Sequence, residues 1–190
     1  MRAKLIVGIG FLCVLTLGAW RANASVTFDL GTPFPDSAAV AWGTAPPWLT
    51  ATFTTTGTGT VELVLQSRLD PSFGTEGVKG WYFNFDPSLD PSVLTITPGT
   101  ISGATAPSIS RGEDAYKADG DGYYDIWFAF ATTGVASGRF GGNDWAEFTI
   151  TGTGITENSF DFFSVGGGGQ GAYRSAAHVL SVGGENGDSA

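Results

Sequence analysis

The chain is poor in the residue types that most often carry chemistry. Its 190 residues include one cysteine, one histidine and one methionine. One cysteine and one histidine cannot provide the four nitrogen and sulfur ligands of a structural zinc site, and a single cysteine cannot form a disulfide within the chain. Basic residues are also scarce, with 9 Lys and Arg against 18 Asp and Glu, a net charge of −9. Nucleic-acid binding needs a basic footprint, so the composition excludes that class of partner.

Residues 1–24 have the features of a secretory signal peptide. Arg2 and Lys4 precede an apolar run at 5–19, and Ala22-Asn23-Ala24 forms a small-x-small cleavage site. The run is too short for a comfortable membrane span. Cleavage is predicted to leave a chain that starts at Ser25, has no membrane span, and carries six basic and eighteen acidic residues, a net charge of −12.

The rest of the chain reads as short strands separated by turns rich in Gly, Pro, Asn and Asp. The alternating or apolar segments are 48–53, 60–66, 81–86, 93–97, 124–130, 144–151, 160–165 and 177–182. No amphipathic helix of three turns is found. The pattern predicts an all-β fold, an antiparallel β-sandwich of jelly-roll type. It forms one domain at 25–182, followed by a flexible tail at 183–190.

The stretch 113–130 joins an acidic, glycine-bearing segment to the most hydrophobic strand candidate after residue 24. Strand alternation predicts that even-numbered residues of the second half face the core and odd-numbered ones face outward. The inward set is Tyr124, Ile126, Phe128 and Phe130, and the outward set is Tyr123, Asp125, Trp127 and Ala129.

The acidic segment is a candidate calcium site. Asp119, Asp121 and Asp125 surround two glycines, and closely spaced carboxylates supply the oxygen ligands that calcium requires. Glu113 and Asp114 would add oxygens if the chain folds back. The spacing does not fit an EF-hand loop. The alternative is a plain solvated turn, because Asp-Gly pairs are ordinary turn chemistry.

Three aromatic residues, Tyr82, Trp127 and Trp145, are predicted to lie on the outward sides of their strands. Flat rings with apolar bodies and polar edges suit a sugar ring or a protein partner. These residues are therefore candidate ligand contacts. The alternative is that a loop or an N-terminal segment such as 28–34 covers them.

Catalytic patterns are scarce. His178 is the single histidine, and no G-x-S-x-G occurs for a nucleophile. A glycosidase needs two carboxyl groups that flank the glycosidic bond to be cleaved, and Glu62 and Glu147 are the best candidates for such a pair in this chain. No enzyme activity is expected, and a glycosidase-like enzyme is the remaining catalytic alternative.

Two resemblances to known families can be named. The segment 80–94, GWYFNFDPSLDPSVL, resembles the strand-turn-strand of cohesin-like modules, which are secreted bacterial jelly-roll sandwiches that bind partner proteins. The signal peptide together with 48–53, 80–87, 114–122 and 175–179 is similar to secreted bacterial proteins of the exosortase-sorted (PEP-CTERM) kind. That second resemblance implies export from a Gram-negative cell and a place in the cell envelope or extracellular matrix, with no activity attached.

The printed sequence ends at Gly187-Asp188-Ser189-Ala190, without the Pro-Glu-Pro motif, apolar span and basic tail of a sorted member. The expected function is that of a secreted, non-catalytic structural or adhesive protein. Its expected partner is a polysaccharide or an envelope or matrix protein. A carbohydrate-binding module is the alternative.

Overall fold

The computed structural model describes residues 23–34, 45–72, 76–118, 122–132, 138–167 and 171–181. The predicted flexible tail and all but the last two residues of the predicted signal peptide lie outside these ranges. Within them, no helix is long and apolar enough to cross a membrane.

Nine strands make up most of the described chain. They are β1 (Ser25–Leu30), β2 (Leu49–Gly57), β3 (Thr60–Ser67), β4 (Gly77–Phe83), β5 (Thr95–Ser102), β6 (Ser108–Ala118), β7 (Gly122–Ala129), β8 (Trp145–Thr151) and β9 (Ser175–Leu180). A five-stranded sheet has the order β1-β2-β3-β8-β5, and a four-stranded sheet has the order β6-β7-β4-β9. All strand pairs are antiparallel. Among these strands the chain crosses between the sheets five times, so the predicted antiparallel β-sandwich is confirmed.

Aromatic rings fill the space between the two sheets. Phe83 of the four-stranded sheet meets Phe53 of the five-stranded sheet edge to face, with ring centroids 5.2 Å apart. Phe128 makes a similar contact with Phe148 at 4.9 Å. Alternate residues of β2, β3 and β8 are buried between the sheets: Leu49, Ala51, Phe53, Val61, Leu63, Leu65, Ala146, Phe148 and Ile150. Their period of two is what fixes which side of each strand faces the core.

Two predicted strands differ in the structure. The apolar run 160–165 is not a strand: Glu157–Phe160 forms a short 3-10 helix, and the ring of Phe160 stacks on Phe53 at 4.3 Å. Phe160 is the member of this run that packs in the core, whereas Phe163 and Val165 are exposed. The strand predicted at 93–97 starts later, at Thr95, because Asp90 caps a 3-10 turn over Pro91–Val93.

Two strands occupy segments that the sequence analysis did not assign to strands. Residues 25–30 form β1, which pairs with β2 at the edge of the five-stranded sheet and does not cover the outward aromatics of the other sheet. Glu113 and Asp114, predicted to lie in a loop, belong to the long edge strand β6. That strand is irregular, and Asp114 has a positive φ of 47°.

Candidate functional site

A large bulge bends the hairpin of β6 and β7. Arg111 pairs with Ile126 and Tyr116 pairs with Tyr124, so four residues of β6 lie opposite the single residue Asp125. Bulges of this kind bend a strand and re-aim the side chains beyond them. The hairpin end therefore turns relative to the rest of the four-stranded sheet.

The bend corrects the prediction for Tyr124. Ile126, Phe128 and Phe130 join the main core as expected. Tyr124 is instead buried with Ala118 and Ala176 in a separate small cluster, against the outward residue Tyr82. Simple alternation cannot anticipate this, because the extra residues that rotate the strand lie in its partner, β6.

Asp125 holds the bend in place. The prediction that Asp125 faces outward is wrong, because its side chain is buried by the bend. Its two carboxylate oxygens accept hydrogen bonds from the backbone N–H of Asp114 at 2.8 Å and of Phe85 at 2.7 Å. Burial raises the pKa of this carboxyl group, although the two hydrogen bonds oppose the shift. Asp125 thus ties the bulge of β6 to the chain leaving β4.

The five candidate calcium ligands are only partly described. Asp119 and Asp121 lie outside the described residues. Glu113 and Asp114 are exposed, and it is the backbone N–H of Asp114 that reaches the carboxylate of Asp125. Among the described residues, no group of three His, Cys, Asp or Glu could hold a metal ion. Calcium binding through Asp119 and Asp121 stays a prediction.

Two cross-strand rows of side chains cover the outer side of the four-stranded sheet. The first row runs Ser108, Ala129, Gly80, His178, and the second runs Ser110, Trp127, Tyr82, Ala176. With Tyr116, whose ring also meets Trp127, these residues are called the aromatic face below. Tyr82, Tyr116 and Trp127 are each half-buried, so part of each ring is open to solvent.

The rings of Tyr82 and Trp127 lie close together. Their planes are 8° from parallel and their centroids are 6.1 Å apart. Tyr116 flanks Trp127 at 5.9 Å with a tilt of 36°. Both rings reach back over Gly80, where an added Cβ would lie 2.7 Å from Trp127 Nε1 and 3.1 Å from Tyr82 Oη. Gly80 therefore lets the two rings lie low on the sheet.

The structure brings together two of the three predicted aromatic contacts. Tyr82 and Trp127 pair directly across β4 and β7. Trp145 lies in β8 of the other sheet, paired with Gln66 and Ser102, and so on the opposite side of the sandwich. Sequence reasoning missed Tyr116, because it lies in the segment assigned to a loop. Strand alternation along the residues before Lys117 could not have identified Tyr116 either, because the bulge in β6 interrupts the period of two.

The geometry gives little support to a catalytic function such as that of a glycosidase. Glu62 pairs with Thr149, and Glu147 pairs with Val64, which makes the two carboxylates diagonal neighbours on the outer side of the five-stranded sheet. Glu62 is exposed there, whereas a glycosidase acid is expected to sit where its pKa is raised. His178 lies in the first row of the aromatic face, in register with Gly80.

Comparison with known proteins does not assign a family. No family model matches the chain, and no curated protein or solved structure gives a significant match. The resemblances to cohesin-like modules and to exosortase-sorted proteins therefore remain predictions from the sequence.

Proposed function

We propose that this protein is exported from a Gram-negative cell and acts as a non-catalytic structural or adhesive component of the cell envelope or extracellular matrix. One observation carries the proposal: the aromatic face places three half-buried rings side by side on one sheet. Tyr and Trp offer large apolar area together with a polar edge, and they are enriched where proteins bind their partners.

The scaffold beneath the aromatic face suits a role in attachment. From Gly80 to Phe83, β4 pairs in regular register with β7 on one side and with β9 on the other, so Tyr82 and Trp127 stand on backbone that is fixed by hydrogen bonds. A contact held on regular strands is ordered before its partner arrives, which lowers the entropy cost of binding.

Retention in the matrix tests this proposal. Cells would export either the wild-type protein or Trp127→Ala, and the fraction that stays with the washed matrix would be compared by immunoblot. Trp145→Ala is the matched control, since it removes the same half-buried residue type from the opposite sheet. Loss of retention is expected for Trp127→Ala alone. Equal retention of all three proteins would contradict the proposal.

A carbohydrate-binding module is the second candidate function. The near-parallel rings of Tyr82 and Trp127 favour it, because sugar rings pack their C–H faces on flat aromatic side chains. A glycan array distinguishes the two functions. Binding to glycans that disappears in the double variant Tyr82→Ala with Trp127→Ala would support the module, whereas capture of matrix proteins alone would support adhesion through protein contacts.

A further inference from the structure

The two rows of the aromatic face contain no carboxylate, lysine or arginine, in a strongly acidic protein; the exposed Lys79 lies beside them, next to Gly80 in β4. The members of the rows are Ser108, Ala129, Gly80, His178, Ser110, Trp127, Tyr82 and Ala176. The outer side of the five-stranded sheet differs, since Asp29, Glu62 and Glu147 lie on it. An anionic polymer at the aromatic face would find no lysine or arginine in these rows to pair with. The net charge of −9 on the protein would also repel it. A cationic polymer would find no carboxylate in these rows to pair with.

The dimensions of the two rows suit a narrow ligand. Four strands side by side span about 14 Å, and two rows along a strand are about 7 Å apart, which gives on the order of 100 Å². A stable protein partner usually covers about 800 Å² on each side. The two rows by themselves are therefore smaller than a typical protein interface. They are long enough for a short run of linked sugar rings.

Polar groups border the rings at both ends of the rows. Ser108 and Ser110 lie on β6 at one edge, and His178 lies on β9 at the other. Hydroxyl and imidazole groups can both donate and accept hydrogen bonds, as sugar hydroxyls do. The rows thus combine an aromatic centre with hydrogen-bonding edges, a composition that suits a ligand with both apolar faces and hydroxyl groups.

We propose that the aromatic face binds an uncharged polysaccharide that lies across the strands, from Ser108 to His178, with its sugar rings stacked on Tyr82 and Trp127. This inference rests on the second candidate function, the carbohydrate-binding module, and names the ligand class of the same site. Gly80 is a positioning residue in this arrangement. A side chain there would lift both rings from the sheet and disturb the stacking surface.

Affinity gel electrophoresis tests the ligand class. The purified protein would run through gels that contain an uncharged β-glucan such as hydroxyethylcellulose or laminarin, an anionic polymer such as alginate, or a cationic one such as chitosan. Retardation that is lost in Trp127→Ala is expected in at least one uncharged gel and in neither charged gel, since the net negative charge of the protein by itself favours contact with chitosan. Retardation confined to alginate or chitosan would overturn the inference.

Variants then assign the surface. Trp127→Ala is expected to weaken binding about tenfold, because the loss of one stacked aromatic contact lowers affinity by up to about a factor of ten. Gly80→Ala is expected to weaken it as well while keeping both rings, and Trp145→Ala is expected to leave it unchanged. Urea midpoints confirm that each variant is folded, and Trp127→Phe replaces Trp127→Ala if the latter does not fold. Unchanged affinity in a folded Trp127 variant would overturn the inference.

The matrix-retention assay separates this inference from the proposed function. If retention depends on Trp127 but uncharged polysaccharides do not retard the protein, the polysaccharide inference fails and the adhesive role stands. If neither retention nor binding depends on Trp127, both fail.

Discussion

Replacing Asp125 with Asn tests whether this carboxylate holds the bent hairpin. The two oxygens of Asp125 accept separate backbone hydrogen bonds, from Asp114 N at 2.8 Å and Phe85 N at 2.7 Å. Asparagine keeps one acceptor oxygen and turns its NH₂ group toward the other N–H donor. A buried donor left without a partner costs about 1–3 kcal/mol. Removal of a buried charge offsets part of this, so we expect a loss of about 1–2 kcal/mol in the free energy of unfolding at pH 7.

Urea unfolding followed by tryptophan fluorescence measures this loss. The midpoint should fall while the slope of the transition is unchanged, as for a mutation that alters stability alone. Asp161→Asn is the matched control, because Asp161 pairs with Arg174 near the surface and such pairs contribute at most about 1 kcal/mol. An Asp125→Asn protein as stable as the wild type, or a control that loses as much, would refute the reasoning.

The pH dependence supplies a second check on Asp125. Burial raises the pKa of its carboxyl group in the folded protein. The folded state therefore takes up a proton at a pH where the unfolded chain is still ionised. This contribution to the free energy of unfolding increases as the pH falls from neutral through the folded-state pKa. Asn cannot titrate, so the stability gap between wild type and Asp125→Asn should widen toward acid. A gap that narrows would show that the carboxylate is stabilised when ionised.

Three further predictions concern the core, the metal and export. Phe128→Ala should lower the free energy of unfolding by about 3–5 kcal/mol in urea melts, because loss of its fully buried ring would leave a cavity. Trp127→Ala should lower it clearly less, and equal losses would contradict the half-buried position of Trp127. Millimolar calcium should raise Tm by several degrees, reversibly with EGTA, and Asp119→Asn with Asp121→Asn should abolish this effect; an unmoved wild-type melt would mean a plain turn. Protein recovered outside the cytoplasm should begin at Ser25 by N-terminal sequencing, and material that begins at Met1 would disprove the cleavage site.

Alternation made the core predictable from the sequence. In β2, β3 and β8, apolar residues alternate with mostly polar ones along most of the strand, and the apolar side is buried, so the inward set follows from the pattern alone. The prediction was wrong where a strand lacks that pattern. β6 carries Arg111, Glu113 and Asp114 at the sheet edge and contains the bulge, so its local sequence resembles a loop.

The aromatic face was predictable only in part. Alternation indicated that Tyr82 and Trp127 face outward. Their contact depends on the register between β4 and β7, which joins residues 45 positions apart and is set by the packing of the whole sheet. The role of Gly80 depends on the same register. The position of Trp145 on the other sheet likewise follows from strand order, which no local pattern encodes.

The strand β4 lies directly beside β9, and this neighbourhood determines how a tethered molecule would carry mechanical load. Tyr82 belongs to β4, and β9 is the last strand described along the chain. If Trp127 and Tyr82 bind a ligand and the chain is held downstream of Leu180, tension passes from β7 through β4 to β9 across two antiparallel ladders. The force at which the attachment fails would then depend on the hydrogen bonds that Gly77–Phe83 makes with β7 on one side and with Ser175–Leu180 on the other.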